Sequence, residues 1–489
     1  MNFQKTLLTF LLCLTILPVY GQWNTDTTSV LNAKNQKDLT KLTKNWPKAT
    51  GLILGTNLSV WGFDRFVVNG EYARINLTSM KNNFRQGFVW DNDMFVTNLF
   101  AHPYHGGLYF NAARSNGMNF WESVPFAAGG SWMWEFFMEN EYPAINDFLA
   151  TSIGGASLGE MTFRLSDQII DDRTFGFDRF KREALLTLIS PIRGIGRIIN
   201  GDAWKHRLTR GNTMPVTPIV LYTNIGHRYI ADILKEKTDF SDMMCIDMGL
   251  NYGNPYDQDN EKPYDYFSFK VALNVLTKQP IVGRVNALGM LYSKDITLKK
   301  PNRQLAIGLY QHFNYYQSKA DINNVSLSPY KISEAASVGP GLIYQYKSKR
   351  NITFLTSAYL SAIFLGGSQT DHYKVEDRDY NMGSGFSSKL NFQLLFGNKA
   401  AVGLFTEDYR IYSWVGYNPN NPDKLHSSVQ GDKGNASLSV ARLALSYVIN
   451  NHFLLSTETG YLYRYSYYKY YPDVEHSVRE NKVSVGYVF

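Results

Sequence analysis

Two imidazoles stand three residues apart in one stretch of the chain, and carboxylates follow them. His102 and His105 belong to the segment from Asn98 to Gly107, and Glu135 and Asp147 come later. Neutral imidazole nitrogens and carboxylate oxygens are ligands that suit zinc, and a carboxylate that orients a histidine makes a general base. The spacing matches no established zinc motif such as His-Glu-x-x-His. A divalent metal at His102 and His105 is therefore one interpretation, and we expect no other cofactor.

Arg114 adds a group that can clamp a phosphate or an oxyanion. With His102 or His105 as base or ligand, and Glu135 and Asp147 as carboxylate partners, these residues would suit an envelope enzyme. It would be a metal-dependent or histidine-based hydrolase or acyl transferase that acts on lipid or lipopolysaccharide. The sequence has no nucleophile elbow, P-loop or complete metal motif, which weighs against catalysis. The alternative is structural: the histidines hydrogen-bond within a turn, and the carboxylates cap helices or pair with Arg114.

A region of helical spacing, from about residue 91 to residue 200, contains all five of these residues. Apolar side chains recur three and four positions apart, for example at Ile145, Phe148 and Leu149. Glycine and proline interrupt the pattern, so we predict several short helices. Before this region, residues 22–50 are polar and indicate an exposed leader, and residues 51–80 form a short strand or helix that leads into the domain.

From about Pro215 to the last residue, apolar and polar side chains alternate. In Phe267–Val275 every odd position is apolar, as in a strand with one apolar and one wet face. An even number of such strands is what a single-chain outer-membrane barrel requires. We count about twelve segments, over residues 217–233, 242–252, 265–277, 281–293, 303–317, 331–347, 351–366, 383–396, 400–415, 435–449, 452–468 and 476–489.

Turn lengths give an independent test, because such barrels have short periplasmic turns and long external loops. Counting back from the C-terminus, tight turns alternate with long polar connections over eight strands. The alternation of short and long connections fails at residues 253–264, because this connection is long at a place where a short turn is expected. The first four strands are therefore either miscounted by one or joined by a special turn. The alternative fold is a soluble sandwich, although its turn signals would recur about every 8 to 12 residues.

The last strand also favours a membrane barrel. Polar or small side chains alternate with apolar ones from Lys482 onward, and the strand ends on the aromatic residue Phe489. This pattern resembles the signal by which outer-membrane barrels are recognised for assembly. Charges on the wet face of the strands would line a lumen and set its polarity. The lumen residues that we predict are Lys270, Lys389, Arg442, Glu458 and Arg464.

Composition and the first 21 residues indicate the compartment. Hydrophobic residues are 44% and charged residues 19% of the chain, which excludes a disordered protein. Lys5, an apolar run from Leu7 to Val19 and then Gly21 follow the order of a secretory signal peptide; a buried N-terminal helix is the alternative. Its removal leaves one of two cysteines, Cys245, so we expect no internal disulfide.

Positive charge raises the question of a partner. The net charge of +7 would permit nucleic-acid binding, but the charge is scattered and the chain is exported, so we expect anionic lipid and no nucleic acid. A basic and apolar stretch between the two regions fits a helix on the membrane surface, or a solvated face packed under the barrel. Its cationic residues are Arg179, Lys181, Arg182, Arg193, Arg197, Lys205, Arg207 and Arg210.

Four segments between Trp90 and Asp171 carry a family resemblance. They are Phe100–Gly106, Ala112–Gly117, Trp134–Phe136 and Gly154–Glu160. This region resembles the N-terminal domain of unknown function 3943 of exported Bacteroidetes proteins, in which the domain precedes a barrel-like region. The resemblance implies the same layout and an envelope location here, and it supplies no catalytic roles.

These observations predict an α+β chain with a small helical domain followed by a transmembrane antiparallel β-barrel of about twelve strands. The predicted parts are a signal peptide at 1–21, the leader and leading segment at 22–90, the helical domain at 91–214 and the barrel at 215–489. We expect an outer-membrane protein that contacts lipid and the barrel-assembly machinery, with its oligomeric state left open. The favoured function is non-enzymatic: gated passage of a small solute or lipid past a helical plug or periplasmic domain, or envelope assembly. The alternative is the envelope enzyme described above.

Overall fold

The computed structural model describes residues 39–90, 93–232, 240–257, 260, 262–277, 279–296, 302–318, 330–373, 379–420, 431–450 and 452–489. The chain divides into a helical unit and a barrel unit. The helical unit is built from the described residues up to 90 and from Val96–Pro218, and the barrel unit from residues 93–95 and Ile219–Phe489. The predicted signal peptide lies outside the described residues.

The described part of the helical unit contains eight α-helices and three π-helical stretches. The α-helices are α1 (Trp46–Phe63), α2 (Leu77–Gln86), α3 (His102–Arg114), α4 (Phe120–Phe137), α5 (Ile145–Leu149), α6 (Gly155–Ile169), α7 (Gly176–Ile189) and α8 (Pro191–Ile199). The π-helical stretches are Asp64–Val68, Thr97–Ala101 and Ala150–Gly154. The prediction of several short helices is confirmed. No helix among the described residues combines the length and the apolar character that a membrane crossing requires.

Helix α1 begins earlier than the sequence pattern suggested. The Asn45 side chain accepts a hydrogen bond from the Lys48 backbone N–H, and Pro47 fits the first turn, where its missing N–H costs nothing. These two signals start the helix at Trp46, so the last five residues of the predicted leader are helical. The segment expected to be a strand or a helix is a helix.

The barrel unit is a closed sheet of twelve antiparallel strands, in which β1 pairs with β12 and each other strand pairs with its neighbours in sequence. The predicted fold class is confirmed, and every predicted strand end lies within three residues of the observed one. The strands are β1 (Ile219–Asp232), β2 (Phe240–Tyr252), β3 (Phe267–Val275), β4 (Val282–Asp295), β5 (Arg303–Gln317), β6 (Lys331–Lys347), β7 (Ile352–Gln369), β8 (Tyr380–Phe396), β9 (Ala400–Ser413), β10 (Gly434–Val448), β11 (Phe453–Tyr468) and β12 (Val474–Val488).

The two faces of the barrel strands differ in exposure. On β12, Val483 and Val485 are more than half exposed, whereas Lys482 and Ser484 between them are buried. Because successive side chains point to opposite faces, the charged residue lies inside and the valines lie outside. Cys245 on β2 is buried on the inner face, where its Sγ contacts the Gly226 carbonyl oxygen of β1.

The connection between β2 and β3 explains the irregular turn pattern. With twelve strands, residues 253–266 join β2 to β3 at the rim where β1 begins and β12 ends. This connection is longer than the other connections between strands at the same rim. Tyr256 in this connection is buried against Met290, Tyr310 and Tyr359 of β4, β5 and β7. The connection is thus a special turn that adds packing to the barrel, and the strand count was correct.

Candidate functional site

Three of the five predicted chemical residues converge in the helical unit. His102 begins α3, Glu135 lies near the end of α4, and Asp147 lies in α5. One ligand atom from each, a histidine nitrogen and two carboxylate oxygens, fall within 4.8 Å of one another. His102 Nε2 lies 3.6 Å from Asp147 Oδ1. We call His102, Glu135 and Asp147 the three-residue cluster.

Two π-helical stretches flank this cluster. Thr97–Ala101 runs directly into His102, and Ala150–Gly154 follows the short helix that holds Asp147. A π-helical turn holds one more residue than an α-helical turn and is frequent at functional sites. The three residues lie on three different helices, so the periodicity of any one helix does not predict that their side chains meet.

Close helix packing brings α3 towards the α5–α6 segment. A Cβ placed on Gly106 would lie 1.8 Å from the Thr151 carbonyl oxygen, and one placed on Gly155 would lie 2.6 Å from Gly106 Cα. Only glycine at both positions allows the two backbones to approach this closely. Gly106, next to His105 in the sequence, and Gly155 thus set the separation between these helices.

His105 takes part in a different set of contacts. Its Nε2 lies 2.9 Å from the Tyr109 hydroxyl, which donates a hydrogen bond to Asn57 Oδ1. The imidazole also packs edge-on against Trp134, at 5.1 Å between ring centroids. Because the Tyr109 proton goes to Asn57, the His105 Nε2 is the donor to the Tyr109 oxygen. His105 therefore joins α1, α3 and α4 by packing.

Both histidines are neutral near pH 7. Burial lowers the pKa of His102 to about 4. Burial, and to a smaller extent the charge of His102, lower the pKa of His105 to about 3. The desolvation cost of a buried imidazolium is the cause of both shifts. A neutral imidazole is the form that acts as a metal ligand or a base.

Arg114 belongs to a buried ion-pair group and not to the cluster. Its Nε and Nη2 donate to the two oxygens of Glu160 at 2.6 and 2.9 Å. Arg164 Nε donates to Glu160 Oε1 at 2.8 Å, and Glu160 is fully buried. The alternative interpretation paired Arg114 with Glu135 or Asp147. In the structure its carboxylate partner is instead Glu160 of α6.

The basic stretch contributes to the interior of the helical unit. Arg179, Arg193 and Arg197 are buried, and each pairs with a carboxylate. Arg193 pairs with Asp167, and Arg179 and Arg197 both pair with Asp172, at 2.9 and 2.7 Å. Three of its eight cationic residues therefore hold helices together and are not directed towards an anionic surface.

Inside the barrel, charged residues of alternating sign form an ionic layer. It consists of four cations and four carboxylates: Arg228, Arg284, Arg442, Lys482, Asp247, Glu407, Glu458 and Glu480. Five of these residues are buried, and the side chains of Arg284, Glu407 and Glu458 are less than one fifth exposed. The layer is electrically balanced.

Contacts of the ionic layer cross the lumen. Arg284 of β4 lies 3.9 Å from Glu458 of β11, and the Tyr316 hydroxyl of β5 donates to Glu407 of β9 at 2.6 Å. Arg442 of β10 lies over the Tyr316 ring, 5.5 Å from its centroid. Strands four or five places apart in the ring of twelve are thus joined by side chains, which narrows the lumen at this level.

An apolar layer accompanies the ionic layer. Twelve buried side chains form one cluster, eleven from nine strands and Tyr330 from the residue before β6. Its members are Ile230, Met243, Tyr316, Tyr330, Ile332, Ile363, Tyr409, Ile411, Leu438, Val440, Leu462 and Val478. Tyr316 belongs to this cluster and also bonds Glu407, so the two layers are continuous. We call the two layers together the septum.

The structure places the five predicted lumen residues on the inner face, in different surroundings. Arg442 and Glu458 belong to the ionic layer. Lys389 pairs with the buried Glu334 at 2.8 Å, and Arg464 pairs with Asp371 of the β7–β8 connection at 2.7 Å. Lys270 is exposed, and its Nζ lies 5.6 Å from the centroid of the Phe405 ring.

Sequence reasoning missed most of the ionic layer. Arg228, Arg284, Glu480 and Asp247 occupy positions of the same alternation that selected Arg442 and Glu458, so the signal was present. What the sequence does not contain is the pairing of strands across the lumen, which turns separate charges into one layer.

The family model described as "Domain of unknown function (DUF3943)" matches residues 87–192, so the resemblance stated from the sequence is confirmed for this domain. The three-residue cluster lies entirely within the match, and a twelve-stranded barrel follows it. The Bacteroidetes origin stays a prediction. The search of curated proteins found no match.

Solved structures resemble the chain over its barrel. The NanC porin is 12% identical, with 55% of this chain and 98% of that chain covered and a TM-score of 0.27. The toluene transporter TodX of Pseudomonas putida is 10% identical, with 56% and 90% covered and a TM-score of 0.22. The outer membrane channel DcaP of Acinetobacter baumannii is 8% identical, with 56% and 97% covered and a TM-score of 0.21. At such identities the likeness concerns the fold alone.

Proposed function

We propose that the protein is an outer-membrane β-barrel whose septum controls the passage of a small polar or charged solute. The observation that carries this proposal is the set of contacts that cross the lumen, Arg284 to Glu458 and Tyr316 to Glu407. Rings of charged side chains select ions, and apolar constrictions gate by expelling water. The septum combines both kinds of layer.

The outer face of the barrel supports a membrane location. Large apolar side chains are exposed along the strands and alternate with buried or half-buried side chains, for example at Leu394, Leu443 and Val483. Exposed apolar surface of this extent is rare on soluble monomers, and bilayer hydrocarbon would cover it. Tyr487 packs against His452, Phe453 and Phe489 near one rim, as in the aromatic girdles of membrane barrels.

The geometry of the ionic layer suits a gate that opens. Arg442 Nε lies 3.8 Å from Glu458 Oε1, and Arg284 Nη1 lies 3.9 Å from the same oxygen. Both distances exceed a hydrogen bond. These groups can therefore exchange partners with a solute that carries charge or hydrogen-bonding groups, while the shorter pair of Lys482 and Asp247, at 2.6 Å, holds its strands in place.

Planar-bilayer conductance tests the proposal. The double variant Arg284→Ser with Glu458→Ser removes one contact across the lumen without changing the net charge. We expect the wild-type barrel to be nearly closed and the double variant to conduct severalfold more current, because water enters where the side chains met.

The matched control is Arg410→Ser with Asp408→Ser. This pair, 3.3 Å apart, lies on the outer side of β9 and is also charge-balanced. It should leave the current as in the wild type. Equal and low currents from both double variants, in barrels that still migrate faster on gels before heating, would exclude a gate at the septum and favour a closed anchor.

The enzyme alternative is weakened by the arrangement of the helical unit. Arg114 binds Glu160, and His105 binds Tyr109, so neither completes a catalytic set with the three-residue cluster. The three-residue cluster can bind a metal ion without forming a catalytic site.

A further inference from the structure

We propose that His102, Glu135 and Asp147 bind a divalent first-row metal ion, with Zn²⁺ as the cation that their donor atoms fit best. Imidazole nitrogen is a ligand for zinc, and carboxylate oxygens complete many zinc sites. Three protein ligands leave a fourth position for water in a tetrahedral shell, as in catalytic zinc sites. This inference does not rest on the function proposed for the barrel.

The distances within the cluster fit a shared ion. The 3.6 Å between His102 Nε2 and Asp147 Oδ1 is too long for a hydrogen bond. It is close to the edge of a tetrahedron around zinc, about 3.4 Å for ligands about 2.1 Å from the metal. The three ligand atoms lie within 4.8 Å of one another, so the widest separation needs to close by at most about 1.4 Å to reach that edge, which side-chain rotation can supply.

The surrounding groups hold the carboxylates in place. The Asn146 side-chain amide donates to Asp147 Oδ1 at 2.8 Å, and the Ala144 backbone N–H donates to Glu135 Oε2 at 2.8 Å. Outer hydrogen bonds of this kind orient the ligands of metal sites and strengthen binding. Helices α3, α4 and α5 each supply one ligand, so the ion would join three elements.

The burial of the two carboxylates also favours binding of a cation. Glu135 is 2% exposed and Asp147 is 4% exposed. Attraction between the ion and the carboxylates is much stronger at such buried positions than in water.

The proposed ligand set differs from the pair that the sequence suggested. His105 is hydrogen-bonded to Tyr109 and packed on Trp134, so we assign it no ligand role. His102 and His105 lie three residues apart on one helix, and only His102 is assigned as a metal ligand.

The experiment uses the full chain, purified in detergent without a polyhistidine tag and stripped with a chelator. Zn²⁺ is titrated calorimetrically, and Co²⁺ is used to follow metal-ligand absorption in the visible range. We expect one equivalent of Zn²⁺ to bind, and each of His102→Ala, Glu135→Gln and Asp147→Asn to weaken binding at least about tenfold.

Two controls separate ligation from damage to the fold. His206→Ala removes an exposed imidazole of the same unit whose Nε2 contacts the Arg173 carbonyl oxygen, and His105→Ala removes the neighbouring imidazole. Both should bind Zn²⁺ as the wild type does. Because His102→Ala could disturb packing, the wild type is also unfolded thermally with and without Zn²⁺, and bound metal should raise its melting temperature.

The proposal is overturned if the wild type binds no Zn²⁺ or shows no thermal shift. It is overturned equally if Glu135→Gln and Asp147→Asn bind as tightly as the wild type. Loss of binding in His105→Ala with retention in His102→Ala would also contradict it, because the ligand would then be the other imidazole.

Discussion

Arg114 has a different role in the structure from the one that its residue type suggested. Sequence reasoning gave it the role of a phosphate or oxyanion clamp, and the structure directs its guanidinium to the two oxygens of Glu160. It also lies over the Phe163 ring, at 4.4 Å from the centroid. A guanidinium that makes two hydrogen bonds to one buried carboxylate is already committed to structure.

Replacing Arg114 by Met should therefore destabilise the helical unit. Glu160 stays buried and keeps Arg164 as an ion-pair partner, so the loss should be smaller than the about 3–5 kcal/mol that an uncompensated buried charge costs. Urea unfolding followed by tryptophan fluorescence measures this, because eight of the nine tryptophans precede residue 205.

The control is Arg182→Met, which breaks the partly exposed pair with Asp178. Exposed pairs contribute little, so stability should stay within about 1 kcal/mol of the wild type. If Arg114→Met were as stable as this control, Arg114 would be available for another role, and the catalytic interpretation would return.

Residue types alone pointed to the three-residue cluster only in part. His102, Glu135 and Asp147 were named because their side chains bind metals or move protons, which is visible in any sequence. They lie on three different helices, with two π-helical stretches beside them, and helical periodicity does not predict how separate helices pack. For the same reason the spacing could not separate His102 from His105.

At the scale of elements, glycine decides how closely helices pack. Gly106 faces the Thr151 carbonyl oxygen across the contact between α3 and the α5–α6 segment. Gly129 lies on an exposed part of α4, where an added Cβ would meet no atom within 4 Å. The two glycines are thus a matched pair in one unit.

Gly106→Ala should destabilise the helical unit by about 1–3 kcal/mol, because the helices must move apart. It should also weaken any metal binding, since the separation of His102 and Asp147 would change. Gly129→Ala should be neutral or stabilise by up to about 1 kcal/mol, as expected for alanine in a helix. Equal urea midpoints for the two variants would show that the close approach is unimportant.

The strands were more predictable than the interior they enclose. Leu390, Phe392 and Leu394 alternate with polar residues because one face of β8 meets an apolar medium and the other the lumen, and this constraint is local in sequence. The septum depends on contacts such as Tyr316 to Glu407, 91 residues apart. Alternation reveals which side a residue faces and not which residue it meets.

At the scale of the whole molecule, the even number of antiparallel strands places the start of β1 and the end of β12 at the same rim of the barrel. The chain enters β1 and leaves β12 at one rim, which also carries the tight connections 348–351, 397–399 and 449–452. The opposite rim carries the long connections 318–330, 370–379 and 414–433. In outer-membrane barrels short turns face the periplasm, so the chain should enter the barrel from that side.

Epitope insertions test this orientation in cells. An epitope placed at Asn420, in the long connection between β9 and β10, should bind antibody on intact cells. The same epitope placed at Asn398, in the tight turn between β8 and β9, should bind only after the outer membrane is permeabilised. Both proteins should fractionate with the outer membrane, and the reverse labelling pattern would invert the barrel.

Cys245 gives the molecule a built-in reporter. Its thiol is buried on the inner face, on the strand that carries Asp247 of the ionic layer, and it is the one cysteine among the described residues. A small water-soluble thiol reagent can therefore reach it only when the interior admits solvent. The rate of its modification would time the opening of the barrel in living cells, without any substitution in the protein.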